Sequence, residues 1–145
     1  MKYREFVRGR LGLKLIPFVG LIALLRLAAC GSGVDEVTVQ LDPEEGFDQS
    51  GTATLVSKGI RTEVTINVSP GPAANDPQPI HIHFGKCGPN LGEVDNSLSD
   101  VVQGRSVTVV DASISQLSDG NHTFNLHKSY PEIRLYSSCG DIPQR

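Results

Sequence analysis

The chain has 145 residues, 13 Lys and Arg against 16 Asp and Glu for a formal net charge of −3, and 39% apolar residues. That length supports one modest hydrophobic core, and the balance of charge excludes a strongly basic polymer-binding protein. Trp is absent and only three Tyr and five Phe are present, so Val, Ile, Leu and Phe must build the core.

Residues 1–29 read as an export leader. Lys2, Arg4, Arg8, Arg10 and Lys14 make a basic start, and the apolar run from Leu15 to Leu25 follows. That run is too short to span a bilayer comfortably and suits the core of a signal peptide. Leu27-Ala28-Ala29-Cys30 resembles the bacterial lipobox, which implies a lipid on Cys30 as the first mature residue. A plain signal peptide or an uncleaved anchor is the alternative, and Arg26 inside the apolar segment departs from the pattern. Either way the globular part is expected outside the cytoplasm, in the periplasm or at the cell surface, and a lipid would attach it to a membrane. Without residues 1–29 the chain keeps seven Lys and Arg against fifteen Asp and Glu, a net charge of −8. Such a surface argues against nucleic acid as a partner and against adhesion to anionic lipid by charge.

Residues 30–35 form the lipidated cysteine and a short tether, and 36–145 a single β domain. Val34 to Leu41 alternates Val37, Val39 and Leu41 with Glu36, Thr38 and Gln40, the period of a half-buried strand. Asp42 to Gly46 is a turn. Gly51–Lys58 and Arg61–Ser69 read as a hairpin closed at Lys58-Gly59-Ile60. Pro70 to Pro79 holds four of the nine prolines and is a loop. Ile80 to Gly85 is a strand, with Ile80, Ile82 and Phe84 on one face and His81 and His83 on the other. Gly85 to Asp100 reads as loop, and Val101 to Val110 as a short β pair around Gly104. Ser113 to Leu117 suits either a helical turn or an irregular crossover. A turn at Asp119-Gly120-Asn121 leads to a strand from Thr123 to Lys128, and Ile133 to Ser138 reads as the last strand. Seven or eight short strands with frequent turn signals predict an all-β antiparallel sandwich or barrel.

Two imidazoles at i and i+2 on a strand stand side by side and can grip one metal ion, although a pair of solvent-facing polar residues is the plainer reading. In Thr123-Phe124-Asn125-Leu126-His127 the apolar Phe124 and Leu126 claim the core, which turns His127 to the outer face. His122 shares the parity of Phe124 and Leu126 and reads as a turn or edge residue. Three neutral imidazoles without a cysteine or carboxylate beside them suit copper or zinc. Of the three cysteines, Cys87 and Cys139 remain if Cys30 carries lipid. In an oxidising compartment they are expected to form a disulfide, two free thiols being the alternative.

From about residue 51 to 143 the chain resembles the Cu,Zn superoxide dismutase-like family, and more closely its short secreted bacterial relatives without a zinc subloop. The matching stretches are Ile80-His81-Ile82-His83, the following Cys87, Asn125-Leu126-His127-Lys128-Ser129, and Ser138-Cys139-Gly140-Asp141-Ile142. The resemblance implies a Greek-key β-sandwich, His81, His83 and His127 as copper ligands, a Cys87–Cys139 disulfide, and copper in preference to zinc. Chordin-type domains are a neighbouring all-β family with related His-x-His strands. The chain departs from the dismutases in lacking a bridging histidine and zinc ligands. Tyr136 stands three residues before Cys139, where the family has an arginine that guides superoxide, and Arg134 stands five before it. Three function classes follow: a copper enzyme that dismutates superoxide, a copper-binding or copper-handling module without turnover, and a metal-free structural β domain. Oligomeric state is left open.

Overall fold

The computed structural model describes residues 35–73 and 75–145. The leader, Cys30 and the tether up to residue 34 lie outside the described residues. Eight strands follow one another with a single helical turn: β1 (Glu36–Pro43), β2 (Ser50–Lys58), β3 (Arg61–Ser69), β4 (Ile80–Gly85), β5 (Leu91–Ser97), β6 (Arg105–Val110), α1 (Ile114–Leu117), β7 (His122–His127) and β8 (Tyr136–Asp141). All neighbouring strands pair antiparallel, in the order β5-β4-β7-β8-β1-β2-β3-β6.

Alternation drives this arrangement. In β1 every second residue (Val37, Val39, Leu41) is buried, and in β3 Thr62, Val64, Ile66 and Val68 are. Against them pack Ile80 and Ile82 of β4 and Phe124 and Leu126 of β7, all fully buried. A β-sandwich results, one layer being β1-β2-β3-β6 and the other β5-β4-β7-β8. The seam between the layers is narrow, with only Asp42 opposite Cys139 and Pro43 opposite Ser138. At this seam Gly140 is required by close approach, since a Cβ there would lie 2.3 Å from the Gln40 carbonyl oxygen. Chain crossings between the layers, from β3 to β4, from β5 to β6 and from β6 to β7, give the Greek-key connectivity. The last of these carries α1, which Ser113 caps in a capping box with Gln116 and which buries Ile114 and Leu117 under the core.

Four sequence expectations are corrected. Residues 91–97, read as loop, form β5, an edge strand of Leu-Gly-Glu-Val-Asp-Asn-Ser with no buried residue; it has no apolar face and is held by its ladder with β4. The last strand is Tyr136–Asp141 and not 133–138, because Pro131 to Arg134 turn and leave Ile133 and Leu135 exposed. β8 buries Ser137, Ser138 and Cys139, small residues without an alternating apolar signal. Phe84 shares the parity of Ile80 and Ile82 but is 41% exposed, since β4 runs past the core there and its pairing with β5 slips at two places. Around Gly104 only a single bridge, Val102 to Arg105, forms ahead of β6, so the expected β pair is one strand and a tight turn.

Candidate metal centre

The ladder between β4 and β7 sets His81 opposite Asn125 and His83 opposite Thr123. His127 ends β7, where the ladder with β8 becomes irregular after Leu126, and its N–H donates to the Pro79 carbonyl at 2.9 Å. Parity therefore places all three imidazoles on the face of the layer that points away from the core. Their ring centroids are 5.7 Å apart for His81 and His83, 4.8 Å for His81 and His127, and 6.2 Å for His83 and His127. One nitrogen from each lies within 4.8 Å of the other two, so the cluster could hold a metal ion.

This face is roofed and not open to water as a half-buried strand would be. His83 and His127 are about as buried as the core, and every residue of β7 is buried. Only His81 is partly exposed. One side of the roof is the connection from β4 to β5, where Cys87 lies in disulfide geometry with Cys139, their Cα atoms 5.9 Å apart. The Asp141 carboxylate accepts the Cys87 N–H at 2.9 Å and braces the same connection. The other side is the segment from Ser129 to Leu135. It is fastened by the Tyr130 hydroxyl, which donates to the Asp100 carboxylate at 2.9 Å, and by a Lys128–Glu132 ion pair at 2.7 Å.

Two backbone carbonyls, one in β5 and one in the 129–135 segment, each fix a ring. His83 Nδ1 donates to the Gly92 carbonyl at 3.0 Å, and His127 Nδ1 donates to the Ile133 carbonyl. A carbonyl only accepts, so in each neutral ring the proton sits on Nδ1 and Nε2 carries a lone pair. Metal-binding histidines are oriented in the same way by an acceptor on the far nitrogen. His127 Nε2 faces His81 Nδ1 at 2.9 Å, one proton being shared where a cation would bind both. His83 Nε2 is buried and has no partner. A metal ion would thus meet Nδ1 of His81 and Nε2 of His83 and His127, a donor set whose chemistry suits it.

Burial holds the pKa of His81 below the ordinary value, helped by His127 and His83 and opposed by the Asp100 carboxylate. Burial also lowers His127, opposed by its bond to the Ile133 carbonyl and helped by His83. In both cases the unfolded chain binds the proton more readily, so stability rises with pH through the interval between the lowered pKa and 6.5. Metal-free protein is therefore expected to keep this contribution above about pH 6.5 and to lose it progressively in more acid solution. Urea unfolding of metal-free protein at pH 7.5, 6.5 and 5.5 checks this, and a His81→Gln, His127→Gln double variant should flatten the profile.

His122 does not join the cluster. It is buried at the start of β7, with Nδ1 2.8 Å from Asp119, Nε2 3.3 Å from Asp95, and the Phe84 ring packed at a tilt with its centroid 5.0 Å away. The Asp119 carboxyl is held below its usual range by the Asn121 N–H and by His122. Near the three histidines two lysines stand beside carboxylates. Lys86 lies 3.9 Å from Asp141 and Lys128 pairs with Glu132, while Arg134 is in the exposed turn. Tyr136 packs its ring 4.9 Å from that of His127. The carbonyls of Gly92 and Ile133 escape sequence reasoning, because a backbone oxygen leaves no mark in the residue letters. No family model, curated protein or solved structure matches the chain.

Proposed function

We propose that this chain is an extracytoplasmic, lipid-anchored copper protein that dismutates superoxide at a centre held by His81, His83 and His127. One observation carries the reading: the unprotonated Nε2 of His83 is buried without a partner in a triangle of imidazoles, two of which neighbouring carbonyls already orient. Three neutral nitrogens suit copper or zinc alike, and the resemblance to the dismutases selects copper. A hydrolytic zinc centre would also need a general base, and the nearby Asp100 carboxylate is engaged by Tyr130.

When bound, copper supplies one-electron chemistry, so that one superoxide is oxidised to O2 and a second, with two protons, is reduced to H2O2. The chain's own part is to orient three rings, exclude water from His83 and His127, and leave the His81 edge as the approach. Protons reach the site from solvent along that edge, since no bridging imidazole is present to deliver them.

A second reading, copper handling without turnover, is favoured by the charges at the rim. Paired lysines, the Asp100 carboxylate and Tyr136 in place of an arginine give a field that attracts cations and does not draw an anion such as superoxide. The decisive experiment measures metal content in protein isolated from its native compartment, then superoxide decay with copper-loaded protein against the His83→Ala variant. Faster decay that disappears in the variant supports the enzyme. Decay no faster than buffer leaves the copper-handling protein, and failure to bind Cu(II) at all leaves a metal-free structural domain.

A further inference from the structure

Asn125 lies among the three histidines, and the reading above gives it no part. The ladder sets it directly across from His81, strand parity places it on the face of His127 two residues on, and His83 is its diagonal neighbour. On its other side stands Cys139, already bonded to Cys87. Asn125 is 2% exposed, and its Oδ1 has no hydrogen-bond partner.

Five buried side-chain atoms among the described residues lack a partner, and three are hydroxyls of Ser106, Ser118 and Ser138. A hydroxyl both donates and accepts and can rotate to suit its surroundings. The other two, His83 Nε2 and Asn125 Oδ1, have only lone pairs to offer, given the proton on His83 Nδ1. Both belong to the same face of the same ladder. Desolvating two acceptors at neighbouring positions is unfavourable unless a donor or a cation meets them. A carboxamide is also shorter than an imidazole, so its oxygen stays near the level of the sheet while the rings reach beyond it.

We infer that Asn125 is a fourth polar group of the metal centre, a neutral oxygen at its floor that favours Cu(II) over Cu(I). This rests on the copper reading above. An oxygen donor suits the harder divalent ion, whereas an apolar floor would leave three imidazoles that serve both oxidation states. The residue thereby sets the preference of the site between the two states, and with it the reduction potential.

The test compares wild type, Asn125→Val and Asn125→Asp as full chains. It reads Cu(II) and Cu(I) affinities by chelator competition, the Cu(II) electron paramagnetic resonance spectrum, and thermal unfolding without metal. Asn125→Val is expected to weaken Cu(II) roughly tenfold and leave Cu(I) nearly unchanged, a rise of about 59 mV in potential. The spectrum should change, and the metal-free unfolding midpoint should not fall, because an unpartnered acceptor has been removed. Asn125→Asp should strengthen Cu(II) selectively, and it keeps the question open to experiment if the Val variant fails to fold. A wild-type affinity ratio and spectrum in both variants, or in Asn125→Asp alone if only it folds, would make Asn125 a structural residue and overturn the inference while the copper site stands. Wild type that takes up no Cu(II) at the histidines overturns both.

Discussion

Replacing His83 by alanine is expected to lower Cu(II) affinity by about 100-fold or more, since even residues that merely orient a metal ligand are worth 10–100-fold. His83 is the ring to remove first. Its Nε2 has no other partner, so the only hydrogen bond that the substitution takes from the metal-free fold is the one from Nδ1 to Gly92. His81→Ala and His127→Ala should weaken binding comparably, although the latter also strips the Ile133 carbonyl of its donor. His122→Ala is the contrasting control. It should keep one bound ion per chain and lose about 1–3 kcal/mol of stability, because a buried ring between Asp95 and Asp119 is removed. Isothermal titration with a competing chelator measures the first effect and urea unfolding the second. Equal affinity in wild type and His83→Ala would show that the three rings are not the binding site.

The second large effect concerns Cys87 and Cys139. Their bridge spans 52 positions, and closing a loop of that length in the unfolded chain is worth about 4 kcal/mol. The Cys87→Ser, Cys139→Ser double variant should therefore unfold at much lower urea, since that loss is a large share of a small domain's stability. The loss should extend to the metal site, because the bridge holds the β4–β5 connection that leads to Gly92, the acceptor for His83. An unchanged unfolding midpoint, together with two titratable thiols in unreduced wild type, would mean that the cysteines are not joined.

What the sequence disclosed followed from alternation. Val37, Val39 and Leu41, then Val64, Ile66 and Val68, announce strands and their inner faces, and the same rule turned His81, His83 and His127 to one side. Elements without an apolar stripe escaped. β5 is an exposed polar edge, and β8 buries serines and a cysteine where alternation has nothing to report. The cover over the histidine face was not legible either, and the alternative of solvent-facing polar residues does not describe it. It comes from connections 86–90 and 129–135, whose positions depend on a disulfide and on single hydrogen bonds. Asn125 was placed on the correct face by parity, yet its lack of a partner becomes visible only once the roof is in place.

The roof segment 129–135 governs time as well as geometry. It orients His127 through one carbonyl and is fastened to the rest of the domain by Tyr130, an exposed side chain bound to Asp100. Lifting of that segment, a local opening far easier than global unfolding, would free His127 and leave an ion held by His81 and His83 alone. Release would therefore follow how often the chain opens as well as the strength of the metal–nitrogen bonds.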